Sequence, residues 1–278
     1  MLIVALAGMM ALLLIRQIQQ DLATTRNDLK IALPEGLIPN PAYHALKIAV
    51  AGDLHVEDGP AALAALSAVV DQIRAARPDL VLLLGDYAPG VWPWQDIDGL
   101  RRAVAQRLAA LKDVPKIAVL GNHDTWTDAD GWQQAFGQRG IVTLENETIA
   151  IETRVGPVCV RGLGDRISWR LRYVPFPPDC GSALRITISH DPAAAFLPEV
   201  GGLVFAAHTH CGQVSFPWLG PLWVPTPAPA AAHCGLYEDD RRVLWVTSGV
   251  GTSILPIRFG APSQWDLVTL EGRGPRHE

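Results

Sequence analysis

The chain has 278 residues, of which 49% are hydrophobic and 18% charged, and a formal net charge of -5. That length and apolar content suit one large domain or two small ones around a buried core, and exclude a disordered chain. The acidic balance, without a run of Lys or Arg, argues against binding nucleic acid through its phosphates, so any anionic substrate must be attracted locally.

Residues Met1 to Ile15, MLIVALAGMMALLLI, are all apolar or glycine. As a helix they span about 22 Å of a ~30 Å hydrocarbon core. No basic region precedes them and no small-residue cleavage site is obvious, so residues 1–15 read as an uncleaved membrane anchor. A buried or interfacial helix and a cleaved signal are the alternatives. Arg16, Arg26 and Lys30 follow the stretch, which places the main domain on the cytoplasmic side under the positive-inside tendency. Residues 16–45 read as a polar helix, Gln17 to Lys30, and a Pro-rich connector, LPEGLIPNPAY. The main domain is then expected over residues 46–278.

From Leu46 short apolar runs alternate with helical segments: LKIAVAGDLH, a helix from about Pro60 to Ala76, DLVLLLGDY, a helix from about Asp96 to Leu111, and KIAVLGNHD. This pattern predicts βαβ units around a buried sheet. VCVRGLGD, RITISHDP, GLVFAAHTH, RRVLWVTSG and WDLVTLE follow with fewer helices between, which suggests a second mixed sheet packed on the first. The expected fold is α/β: two packed mixed sheets flanked by helices, a four-layer αββα sandwich, behind an N-terminal hydrophobic helix. The four cysteines, Cys159, Cys180, Cys211 and Cys234, form no C-x-x-C pair. They suggest neither a zinc knuckle nor a dense disulfide scaffold, and leave one disulfide possible.

The apolar runs end in polar residues, where the crevice of an open α/β sheet forms. Each piece has a bland reading. Asp53 and His55 in DLH fall on one side of an extended strand, or cap a turn. Gly85–Asp86 is a common turn dipeptide. Asn122, His123 and Asp124 offer a ligand, an acid and an orienting carboxylate, or simply build a tight loop. His190 precedes a Pro turn, and His208 and His210 are two imidazoles on one face or two surface histidines. Taken together, Asp53, His55, Asp86, Asn122, His190, His208 and His210 at five successive strand ends point to a dinuclear metal site.

The ordered set Asp53-x-His55, Gly85-Asp86, Gly121-Asn122-His123-Asp124, His190 and Ala207-His208-x-His210 resembles the calcineurin-like metallophosphoesterase superfamily. One departure is Ala207, where that family usually has Gly. The resemblance implies one ion held by Asp53, His55, Asp86 and His210, and a second by Asp86, Asn122, His190 and His208, with Asp86 bridging. Two divalent ions against two carboxylates leave the cleft net positive, which reconciles an acidic chain with an anionic substrate. His123 is the candidate to stabilise or protonate the reacting phosphoryl group. Asp124 is expected to hold the other ring nitrogen of His123, or to cap the following helix. Imidazole and carboxylate suit manganese, iron, zinc or cobalt, with manganese the first choice.

GDLHVEDG and GDYAPGVW lack residues usual in the protein phosphatases of the superfamily, and no basic surface suits its repair nucleases. HTHCGQVSFPWLGPLW and SGVGTSILPIRFGAP are instead similar to the membrane-associated branch often called YkuE-like. That similarity implies a lipid-linked phosphodiester or pyrophosphate, UDP-2,3-diacylglucosamine being one substrate in the branch. A broad-range phosphomonoesterase and a metal-binding scaffold without turnover are the competing readings. Arg258 is expected either to clamp phosphate or to fix a loop. Trp92, Trp94, Trp126 and Trp169 are expected near the cleft, facing lipid or filling the core. Cys211 is expected to fill a place usually held by Gly.

Overall fold

The computed structural model describes residues 2–34, 36–90 and 96–272. The N-terminal helix α1 (Leu2–Leu22) leaves Leu12, Leu13, Leu14 and Ile15 exposed. Among the described residues no helix is long and apolar enough to cross a membrane. The polar helix expected as far as Lys30 stops at Leu22, because Thr25–Leu33 forms strand β1. Arg26, Asp28 and Lys30 point out while Ile31 and Leu33 are buried, a period of two. Its parallel partner, β14 (Gln264–Gly272), lies at the far end of the chain, so no local pattern announces the pairing. The first sheet therefore begins at Thr25, ahead of the boundary expected at residue 46.

The first sheet also holds β2 (Lys47–Ala51), β3 (Leu80–Leu83), β4 (Lys116–Ala118) and β5 (Val142–Thr143), in the order β1-β14-β2-β3-β4-β5. β14 runs antiparallel to β2, whereas β2, β3, β4 and β5 are mutually parallel. Helices α2 (Pro60–Ala76), α3 (Ile97–Leu108) and α4 (Asn122–Gly137) supply the crossovers. WDLVTLE, expected in the second sheet, is thus in the first. The second sheet consists of β6 (Glu147–Thr153), β7 (Gly156–Gly162), β8 (Leu184–Ile188), β9 (Gly202–Ala206), β12 (Gly235–Glu238) and β13 (Arg242–Val246), ordered β12-β13-β9-β8-β7-β6. A small hairpin, β10 (Ser215–Phe216) with β11 (Gly220–Pro221), stands apart.

Strand alternation builds the layers. Ile48, Val50, Leu82 and Ile117 face Ile186, Ile188 and Phe205 between the two sheets. Ala49, Val81, Leu83 and Ala118 face the opposite way, against Val70 of α2, Val104 of α3 and Trp132 and Phe136 of α4. On the outer face of the second sheet, Val204, Ala206 and Leu244 are covered by the 3-10 turns Pro192–Phe196 and Ala230–Ala232. Two mixed sheets packed face to face and flanked by helices are the expected architecture.

The cysteines depart from expectation, since Cys159 pairs with Cys180 and Cys211 with Cys234, at Cα separations of 5.8 and 4.8 Å. Cys211 is therefore a bridge rather than a filler. The members of the pairs stand 21 and 23 positions apart in sequence, and the fold of the intervening segment brings them together. At the site end the two sheets meet: the ring of His190, just beyond β8 of the second sheet, lies 2.7 Å from the carbonyl of Leu84, just beyond β3 of the first. Strand ends of both sheets thereby open into one cleft.

Candidate metal centre

Strands β2, β3 and β9 stop short of their motifs. Asp53, His55, Asp86, His208 and His210 all adopt left-handed backbone, with φ of 49°, 40°, 55°, 67° and 49°. Such conformations cost non-glycine residues on the order of 1–3 kcal/mol each and persist where the surroundings over-determine them. Here Asp53 N–H donates to Gly85 O (2.9 Å), His55 N–H to Asp86 O (3.0 Å) and Gly251 N–H to Asp53 O (2.6 Å). Asp53 and His55 thus converge through turns, not through alternation along an extended strand. The same correction applies to His208 and His210.

Glycines set how closely the loops approach. A Cβ on Gly121 would lie 2.2 Å from Asp86 Oδ1, so the GNHD loop can close on Asp86 only without a side chain there. A Cβ on Gly52 would lie 2.7 Å from Ala207 Cβ. Gly52 therefore makes the room that Ala207 removes.

The ligand atoms gather in three overlapping groups, of which His55, Asp86 and His123 lie between the other two. Asp53, His55 and His210 form one, with His55 Nε2 3.2 Å from His210 Nε2 and His210 Nε2 3.7 Å from Asp53 Oδ1. Asp86, His190 and His208 form the other, with His190 Nε2 3.3 Å from Asp86 Oδ2 and 3.1 Å from His208 Nδ1. Asp86 Oδ2 also lies 3.6 Å from His55 Nε2. The side chain of Asn122 is buried nearby in sequence to His123, and its Oδ1 has no hydrogen-bond partner; nor has Asp53 Oδ2.

These residues fit divalent cations. A buried oxygen without a partner costs about 1–3 kcal/mol, which a bound cation would offset. With His190 Nδ1–H donating to Leu84 O (2.7 Å) and His208 Nε2–H to Pro225 O (3.0 Å), the facing His190 Nε2 and His208 Nδ1 both present lone pairs. Two lone pairs 3.1 Å apart repel unless a proton or a metal lies between them.

Burial prepares two of the imidazoles for a cation. Burial pushes the His55 pKa down to about 3, and burial, then His55 and Arg258, hold His210 well below the usual imidazole range. Both are therefore neutral, the state metal ligation requires. Burial alone would lower His190, but the neighbouring carboxylate of Asp86 outweighs it and holds His190 well above the usual range. In turn His190, then His55 and His123, outweigh the effect of burial on Asp86 and hold it ionised. Burial raises Asp53 to about 7 against the pull of His190.

His123 sits at the edge of the cluster, its side chain 22% exposed, with Nε2 4.0 Å from Asp86 Oδ2. Its Nδ1 has no partner. The ring stands edge-on to His55 at 5.0 Å and tilts against Trp126 at 5.4 Å. Asp124, expected to hold this ring, turns away from it. Its carboxylate accepts the N–H groups of Asp86 (2.7 Å), Tyr87 (2.9 Å) and Gly121 (2.9 Å). Asp124 thereby staples the GDY and GNHD loops, reaching back at Gly121 as the third residue of helix α4 does in a capping box. Burial, with Asp86 next, pushes its pKa up to about 8, and the Gly121 and Tyr87 N–H groups oppose this.

Arg258 also departs from the phosphate-clamp expectation. It is fully buried, and its guanidinium donates to the carbonyls of Gly251 (3.0 Å), Ala261 (3.0 Å) and Ser248 (2.9 Å), with Nη2 3.2 Å from His210 Nδ1. A fork committed to backbone inside the protein has no face for substrate, so the loop-fixing reading holds. Trp126 and Trp169 are exposed rather than in the core, and Trp92 and Trp94 lie outside the described residues. The sequence reading passed over Asp165, buried at the end of VCVRGLGD, with Oδ1 unpartnered and its charge acting on His190. Its signal was the one used elsewhere, a Gly-Asp closing an apolar run.

The Calcineurin-like phosphoesterase family matches residues 46–212, which contain both ligand groups. The chain belongs to that family. It is a hydrolase of the metallophosphoesterase type. The chain is 26% identical over 266 residues to an uncharacterized metallophosphoesterase, YkuE, of Bacillus subtilis (strain 168), covering 89% of this chain and 85% of that protein. It is 27% identical over 233 residues to the phosphodiesterase YaeI of Escherichia coli (strain K12), covering 81% and 82%. An uncharacterized protein of Bacillus subtilis, YpbG, is 26% identical over 209 residues, covering 73% and 75%. Within the family pattern, the structure brings together the aspartates and histidines expected as ligands around Asp86.

Proposed function

We propose that this metallophosphoesterase uses two divalent ions, manganese first among them, to hydrolyse a phosphodiester or pyrophosphate bond in a lipid-linked substrate at a membrane. The observation that carries the dinuclear reading is Asp86, whose carboxylate faces both ligand groups. Asp53, His55, Asp86 and His210 would hold one ion, and Asp86, Asn122, His190 and His208 the other. Ions bound there supply Lewis-acid polarisation of the phosphoryl oxygens and a more acidic water. The protein's share is orientation and proton delivery. Ring bonds to Leu84 and Pro225 aim His190 and His208, Arg258 buttresses His210, and the Asp124 staple sets the spacing between Asp86 and His123. His123, partly exposed at the edge of the ligand groups, is the side chain that would donate a proton to the leaving oxygen.

The name of YaeI supports diester over monoester chemistry. The exposed leucines of α1 support a membrane setting. For the side of the membrane, the basic residues after the apolar stretch favour the cytoplasm. The two disulfides favour an oxidising compartment, because cytosolic thiols are kept reduced. A topology reporter with thiol-blocking reagents decides between the two.

The test is manganese-dependent turnover by the purified full chain, with bis(p-nitrophenyl) phosphate, p-nitrophenyl phosphate and UDP-2,3-diacylglucosamine as substrates, beside His123→Ala. Faster cleavage of the diester than of the monoester by the wild type alone supports the reading. UMP release from the lipid nucleotide would name the substrate and argue for a cytoplasmic site. Preference for the monoester would replace the reading with a phosphomonoesterase, and metal uptake without any turnover would leave a scaffold.

A further inference from the structure

Among the described residues, a dense set of exposed apolar side chains lies next to the metal ligands, on segments the chemistry does not use. Residues 211–237 contain no Asp, Glu, Lys or Arg, although 18% of the chain is charged. This segment carries the β10–β11 hairpin, with Trp218 and Leu219 between its strands and Leu222 and Trp223 just beyond. Trp218 is fully exposed, and Leu219, Leu222 and Trp223 expose 72%, 62% and 63% of their surface. Ile254 and Leu255, also exposed, stand beside them. The Gln213 side chain binds their loop through Leu255 O (2.7 Å) and Ser253 N–H (2.7 Å), and Phe216 packs against Phe259 at 5.1 Å. The only charged side chain between residues 251 and 263 is Arg258, and it is buried.

The C-terminal end of α1 is anchored to the loop beside the patch. The Asp21 carboxylate accepts the Gly260 N–H (2.7 Å), and Asp21 O accepts the Ser263 N–H (2.7 Å), so the helix end is fixed to the loop that supports the hairpin. Four successive residues of α1, Leu12 to Ile15, are exposed on all sides of the helix and need an apolar environment. On the other side, a Cβ on Gly212 would strike Pro221 at 2.2 Å, which places the hairpin against the turn that carries His210. Protein interfaces surround an apolar centre with a polar rim, whereas this surface lacks charge and carries Trp and Leu at its tip. That chemistry matches the boundary between headgroups and acyl chains.

We propose that hairpin residues 215–223 and the Ile254–Leu255 loop form the surface by which this chain docks on a lipid bilayer, sinking Trp218 and Leu219 into the headgroup and acyl boundary. Docking there sets the mouth of the metal cleft at the membrane surface. A lipid-linked phosphate then reaches the ligands without leaving the bilayer, and this consequence alone rests on the function proposed above.

Because the four cysteines are paired, Leu219→Cys introduces a single free thiol for an environment-sensitive fluorophore. Val142→Cys, on the edge strand β5 at the opposite end of the first sheet, is the reference. Both labelled full-length proteins are mixed with vesicles of phosphatidylethanolamine and phosphatidylglycerol. The position 219 label should shift to the blue, lose about threefold or more of its quenching by aqueous iodide, and be quenched by doxyl-labelled lipid, while the position 142 label stays unchanged. Vesicle binding through α1 with the position 219 label still open to iodide would overturn the proposal. So would protection of that label without vesicles in a dimer dissociated by Trp218→Asp, because the occupant would then be a second copy. Turnover of a soluble aryl phosphodiester by the same samples reports on the proposed chemistry independently of docking.

Discussion

Replacing Arg258 by methionine separates two roles for one side chain. The guanidinium is fully buried, and the carbonyls of Ser248, Gly251 and Ala261 that it serves have no other donor among the described residues. Gly249 O retains the Gln264 N–H (3.0 Å) and Pro262 O retains the Ser248 hydroxyl (2.5 Å), so those two are not orphaned. Three orphaned carbonyls at about 1–3 kcal/mol each, less the relief of no longer burying a charge, leave a net loss of about 3 kcal/mol. For a chain of this size that is on the order of 6–12 °C in Tm. The group containing His210 loses a guanidinium 3.2 Å from that ring, and with it a positive charge that repels a cation, so its metal should be held no more weakly. Scanning calorimetry and metal analysis of Arg258→Met, with KM for a soluble diester, check this. An unchanged Tm with KM raised tenfold or more would refute the structural role and restore the phosphate clamp.

Three further substitutions and one titration test the site. His123→Ala should keep its metal and lose about 10²- to 10⁴-fold in kcat, and loss of metal instead would move His123 into the ligand set. Asp86→Asn should lose metal from both groups, so loss from one group only, by metal analysis, would break the bridging assignment. Asp124→Asn turns an amide N–H toward backbone N–H donors and should cost about 2–4 kcal/mol in denaturant unfolding. Equal stability would mean that the three bonds are not what joins the loops. Because Asp86 holds His190 protonated well above the usual range, a bound cation must displace that proton. Manganese affinity should therefore fall as pH drops, by about tenfold per pH unit, with proton release visible in titration calorimetry. A flat profile would contradict it.

The ligand types and their order were legible because each must terminate an apolar run, and polar residues at such ends have few structural reasons to recur. Helix α2 was legible to its limits, with a proline at its start and an unbroken apolar periodicity. Strand β1 was not, since its short alternation near charged residues becomes a strand only by pairing with β14, more than 230 residues away. The same distance hid that β14 completes the first sheet. Chemistry at a strand end is thus a local property of sequence. What each side chain faces is not: Asp124 and Arg258 carry the charges expected of site residues, yet both are spent on buried backbone donors and carbonyls. Residue type therefore determined that metal and phosphate chemistry belong here. Only the tertiary structure decided which charges line the cleft, because left-handed turns and contacts between the sheets, not strand periodicity, aim the ligands.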